Sequence, residues 1–172
     1  MTKEITKHLY KKLDKLEDLK LGLGAHLING WQGQYERMLR FYQRYLLSED
    51  LTDKLDFALN FFVYSYHLKE WIEKYEQIEK SKFEIEWKRF IDKYPEIKLC
   101  RDICNVNKHL ILNKPPSVDK HFAIILSYDY FTTKKSDWVI YYDNKRIKLI
   151  DLMHQVTLAW DEFIKEHLKL IV

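Results

Sequence analysis

Apolar residues recur at helical spacing along most of the chain, and the period changes only near its C-terminal third. In residues 3–20, Ile5, Leu9, Leu13 and Leu16 fall on one stripe, which predicts an amphipathic helix. Glycines then interrupt the pattern in 21-LGLGAHLINGWQG-33, which predicts a break. Trp31, Tyr35, Met38, Leu39, Tyr42 and Leu46 restore it and predict a helix over 31–47. Ser48-Glu49-Asp50-Leu51-Thr52 supplies turn and cap residues for the next one. The segment 54–80 carries apolar residues almost all round the helical wheel between Leu55 and Ile72, the pattern of a central helix covered on every side. Phe83, Trp87 and Phe90 mark a shorter helix over 82–93. Pro95 and Glu96 suit the first turn of another, running to about Leu112.

Lys114-Pro115-Pro116-Ser117 stops that helix. Residues 121–131 and 138–142 then read as strands, and Asp143-Asn144 as a turn into a hairpin arm over 145–149. A closing helix over about 150–170 buries Leu152, Val156, Trp160, Phe163, Ile164 and Leu168. The expected fold is mainly α: a bundle of about five to six helices with a small antiparallel sheet inserted before the last helix. It forms one domain over 1–172, with the bundle in 1–113, the sheet in about 119–149 and the closing helix in 150–170.

Composition supports a packed chain. Aromatics make up 15% of the residues and there are only four glycines and three prolines, which argues against disorder. The net charge of +3 arises from 29 basic and 26 acidic residues, so the total implies no strong polyanion field. The basic pairs Lys134-Lys135 and Lys145-Arg146 read as solvated loop ends rather than a DNA-reading surface. Cys100 and Cys104 share a helix face and read as core packing rather than a disulfide framework. The charged N-terminal residues have no signal-peptide core, and no apolar run reaches membrane-spanning length, so a cytoplasmic protein without membrane contact is expected.

Two helices carry polar strips. In 97-IKLCRDICNVNKHLIL-112, Ile97, Leu99, Cys100, Ile103, Cys104, Val106, Leu110 and Ile111 take one half of the wheel. Lys98, Asp102, Asn105 and His109 line the other, flanked by Arg101 and Lys108. Asn107 falls in the apolar half and needs hydrogen-bond partners there. In the central helix, Asn60 and His67 are nearly superposed among apolar residues, with Tyr64, Tyr66, Glu70 and Trp71 around His67. Adjacent helices with such strips would aim them at one cavity. Each strip also has a structural explanation: a solvated face for Lys98, Arg101, Asn105 and Lys108, and a hydrogen-bonded core histidine for His67.

The stretches 66-YHLKEWI-72 and 101-RDICNVNKH-109, followed by a small sheet and a closing helix with Trp160, resemble the HEPN-like helical proteins of bacteria over roughly residues 55–170. That resemblance implies a helical bundle that dimerises, and a metal-independent RNA endonuclease of the toxin or phage-defence kind, without a cofactor. Arg101, Asp102 and His109 would be its catalytic residues: the histidine handles the proton of the attacking 2′-hydroxyl and the arginine steadies the phosphorane charge. His67, Glu70, Trp71, Asn105 and Lys108 would line the binding cleft. Seven residues separate Arg101 from His109, more than the family pattern has, which leaves open a non-catalytic relative that uses the same cleft for a ligand or protein partner. Asp102, His109 and His67 are adequate metal-ligand types, but no zinc or di-iron motif accompanies them, so no metal is expected.

Overall fold

Phe61 and Phe62 are neighbours in sequence, and both side chains are completely buried. Successive helical residues point about 100° apart, so their helix must be covered on more than one side. That helix, α2 (Leu51–Tyr75), is the centre of the bundle. The computed structural model describes residues 30–108, 122–127 and 137–171, the side chains of 107, 108, 170 and 171 excepted. The expected helix over 3–20 and the Pro115-Pro116 break lie outside them.

Before α2 comes α1 (Gly30–Leu47), and after it come α3 (Lys80–Lys93) and α4 (Pro95–Lys108). Strands β1 (Ala123–Ser127), β2 (Asp137–Tyr142) and β3 (Lys145–Lys148) then form an antiparallel sheet in the order β1-β2-β3. The closing helix α5 (Leu149–Glu162) continues through a π-helical turn, Phe163–His167, into a last α-helical turn, Leu168–Ile171. Among the described residues, five helices with a three-stranded sheet before the last of them is the architecture that the change of period predicts.

Local chemistry sets the boundaries. Gly30 opens α1 with φ of +52°, and a Cβ there would lie 2.4 Å from the Tyr75 ring, so only glycine fits. Asp50 caps α2 by accepting the Asp53 backbone N–H at 2.8 Å. The helix expected over 54–80 ends at Tyr75, because Gln77 takes a left-handed conformation with φ of 54°. Asp143 and Asn144 both have positive φ, as a two-residue hairpin turn of the primed type requires.

Most of the described aromatic residues meet in one core. Trp160 packs against Trp87, Phe90 and Phe163 with ring centroids 5.5–5.7 Å apart. Each such ring, fully buried, contributes on the order of 1.5–3 kcal/mol or more. The Trp160 indole N–H donates to Ser65 Oγ at 2.9 Å, which satisfies the one polar atom of that ring in the core. Ile124, Ile140 and Ile147 lie opposite one another across the sheet and pack on the helices. The Trp138 indole donates to the Leu51 carbonyl at 2.6 Å and ties the sheet to the start of α2.

Three tyrosines fasten α1. Tyr35 donates to Asp161 of α5, and Tyr45 to Asp137 of β2 at 2.7 Å. Tyr42 meets His154 Nδ1 at 3.3 Å. Tyr45 is buried where the stripe predicts Leu46; Leu46 is exposed, because Tyr45 follows Met38 by seven residues and stays on its face.

Candidate functional site

The two helices that carry the polar strips pack directly against each other. Ser65, Leu68 and Ile72 of α2 and Leu99, Cys100 and Ile103 of α4 are all buried. The hydroxyl of Ser65 meets the Cys100 sulfur at 3.8 Å across the contact. Polar side chains line the edge of this seam: Tyr66, His67 and Glu70 from α2, and Arg101, Asp102 and Cys104 from α4.

Asp102 is buried, with 2% of its side chain exposed, whereas 42% of the Arg101 side chain is exposed. Arg101 donates to Asp102 Oδ1 from both Nε and Nη2 at 3.3 Å. The carboxylate therefore sits beneath the guanidinium and fixes it at the surface. This corrects the expectation of Asp102 on an open polar strip. The wheel gives the angle of a residue on its helix but not where the neighbouring helices lie, and Val106, assigned to the apolar half, is exposed for the same reason.

His67 is half-exposed rather than buried. Its Nε2 lies 3.9 Å from Cys104 Sγ, and its Nδ1 lies 4.0 Å from Glu70 Oε2. Its ring packs beside that of Tyr66, with centroids 5.4 Å apart. Burial pushes the Tyr66 phenol upward; the Arg101 charge opposes this, and Glu70, Cys104 and Asp102 reinforce it. Tyr66 therefore stays protonated at neutral pH, so its hydroxyl is able to donate to an anion. Burial likewise pushes the Cys100 thiol up to about 12, so that thiol is inert.

Of the residues expected to bind, Glu70 is exposed, and Trp71 and Asn105 are half-buried. Lys108 ends α4, with its side chain outside the described residues; Asn107 shares that position, and His109 lies outside them altogether. Asn60 is exposed and donates to the Asp56 carbonyl of its own helix at 2.8 Å, so it takes no part in the seam. The central helix is thus open along one edge and not covered all round.

A second polar cluster has no signal in the sequence, because its members are far apart along the chain. Buried Glu86 of α3 accepts from Arg89 and faces His167 Nδ1 at 3.1 Å. His167 lies in the π-helical turn, and its Nε2 is 4.0 Å from Glu162, which also accepts from Lys93 at 2.6 Å and from Tyr94. This network ties the end of the chain to α3.

Among the described residues, no three His, Cys, Asp or Glu side chains are grouped to hold a metal ion. None of the described helices is long and apolar enough to cross a membrane. Comparison with family models, with curated proteins and with solved structures finds no match to this chain. The arrangement at the seam offers a surface cation, a reachable imidazole and a protonated phenol within two turns of two packed helices. Such a set can hold an anion and exchange a proton with it.

Proposed function

We propose that the α2–α4 seam is an RNA-binding cleft of the HEPN kind, and that the chain is a metal-independent ribonuclease. The observation that carries this reading is the half-exposed Arg101 guanidinium, held from beneath by buried Asp102, with the Tyr66 phenol in reach of its charge. A guanidinium fixed in this way is suited to a phosphate diester, which it meets with a planar fork of donors. In the proposed reaction, His109 takes the proton of a 2′-hydroxyl, that oxygen attacks the adjacent phosphorus, and the P–O5′ bond breaks to leave a 2′,3′-cyclic phosphate while the departing 5′-oxygen takes a proton from water. Arg101 stabilises the added negative charge of the phosphorane. Asp102 acts through Arg101 and does not touch the substrate. Two copies of the chain would build a composite cleft, as the resemblance implies.

The burial of Asp102 favours one second reading, in which the seam binds a ligand or protein partner without turnover. One of the three residues that the family pattern would make catalytic is out of a substrate's reach. The test is a cleavage assay on a mixed RNA pool with EDTA present. Cleavage by the wild type, lost in Arg101→Ala and in His109→Ala, supports the nuclease. Intact RNA with all three proteins supports the binding module.

A further inference from the structure

The same seam holds a cysteine, Cys104, that the nuclease reading does not use. Cys104 Sγ and His67 Nε2 are 3.9 Å apart, within reach of a thiol–imidazole hydrogen bond. The other imidazole nitrogen faces Glu70 Oε2 at 4.0 Å. Thiol, imidazole and carboxylate thus follow one another through the two nitrogens of one ring, the order that activated thiols share on unrelated folds. Among the described residues, Tyr66 from α2 and Arg101, Asp102 and Cys100 from α4 also bear on this point, with the guanidinium one turn before Cys104. Cys100, a turn earlier on the same helix, supplies the contrast. It is completely buried, and its sulfur accepts from the Ser65 hydroxyl rather than facing an imidazole.

We propose that Cys104 is an imidazole-activated nucleophile and the site at which this chain exchanges with small disulfides, with His67 as its base and Glu70 as the residue that positions His67. In the exchange, the Cys104 thiol passes its proton to His67 Nε2. The thiolate attacks one sulfur of the incoming disulfide; a new S–S bond forms at Cys104 as the old one breaks. The departing thiolate takes the proton from His67 and leaves as a thiol. Cys104 is oxidised to a mixed disulfide, the released half is reduced, and no further oxidant is needed. Cys104 itself is only 4% exposed, so the reagent must approach from the side on which His67 opens to solvent.

This inference does not rest on the RNA reading, and its assay contains no RNA, so either can fail alone. The native chain is treated with an aromatic disulfide, dithiobis-nitrobenzoate, and the released aromatic thiol, which ionises in water, is followed by absorbance. Peptide mass spectrometry then locates the adduct. The proposal expects reaction at Cys104 and none at Cys100. It expects reactivity to persist well below the ordinary thiol pKa of about 8.5, and His67→Gln to slow the reaction at neutral pH by about tenfold or more. His67 lies at the half-exposed edge of the seam, so far-UV circular dichroism of the variant should match the wild type. Reaction only after denaturation, equal labelling of both cysteines, or an unchanged rate in folded His67→Gln would each overturn the proposal.

Discussion

The Arg101 guanidinium rests on the carboxylate of Asp102, the residue next to it in sequence, and the two differ widely in burial: 42% of one side chain is exposed and 2% of the other. The asymmetry has an energetic consequence. Without Asp102, the guanidinium is hydrated at little cost, because a half-exposed ion pair contributes only about 0–1 kcal/mol. Without Arg101, a buried carboxylate loses a charged donor, and leaving such a group undersatisfied costs about 1–3 kcal/mol. Arg101→Ala is therefore expected to destabilise the chain more than Asp102→Asn. Adding Asp102→Asn to Arg101→Ala should recover part of the loss. Urea midpoints of the three variants decide this, and the reverse order would mean that the carboxylate does not depend on Arg101.

Ser65 connects the seam to the centre of the core. Its Oγ accepts from the Trp160 indole at 2.9 Å, and both residues are completely buried. Ser65→Ala removes the acceptor and leaves the N–H without that partner in an apolar setting. The expected loss is about 1–3 kcal/mol. Ser65→Thr, which keeps the oxygen, should lose less unless the added methyl overpacks the site. Thermal unfolding of the two variants separates the hydrogen bond from the packing.

The tyrosines that fasten α1 predict a response to alkali. Burial, reinforced by the hydrogen bond and charge of a carboxylate, pushes Tyr35 and Tyr45 well above the ordinary tyrosine range. In the unfolded chain they ionise at about pH 10. Stability from these groups is fully present below that pH and falls as pH rises above it, because only the unfolded state releases the protons. Denaturation should become easier above about pH 10. Tyr35→Phe should be less stable at neutral pH but show a shallower decline in alkali. A decline of the same slope in wild type and variant would contradict the assignment to Tyr35.

Most of the fold was legible because it rests on periodicity. α1, α3, α4 and the sheet begin within a few residues of where the pattern starts them, and Pro95, Asp50 and Asp143-Asn144 mark boundaries by chemistry that acts locally. The site was less legible, because it depends on which helix lies next to which. A wheel for α4 places Arg101, Asp102 and Cys104 by angle alone. Only the packing of neighbouring helices buries Asp102, leaves Val106 exposed and brings Cys104 to His67 of α2, 37 residues earlier. The pairing of Glu86 with His167, 81 residues apart, is of the same kind. Its position also depends on the π-helical turn, which no side-chain pattern in 163–167 announces.

The most direct test of the RNA reading is the affinity of a short single-stranded RNA for the Asp102→Asn protein and for the Arg101→Ala/Asp102→Asn protein, measured by fluorescence anisotropy across a salt series. The shared Asp102→Asn background keeps the two proteins alike at the buried carboxylate position, so that they differ only in the guanidinium. The account predicts binding by the first and weaker binding by the second, with the slope of log K against log salt reduced by about 0.7, the loss of one phosphate contact to a single strand. Equal affinity and equal slope for the two folded proteins, or no binding by either, would contradict it.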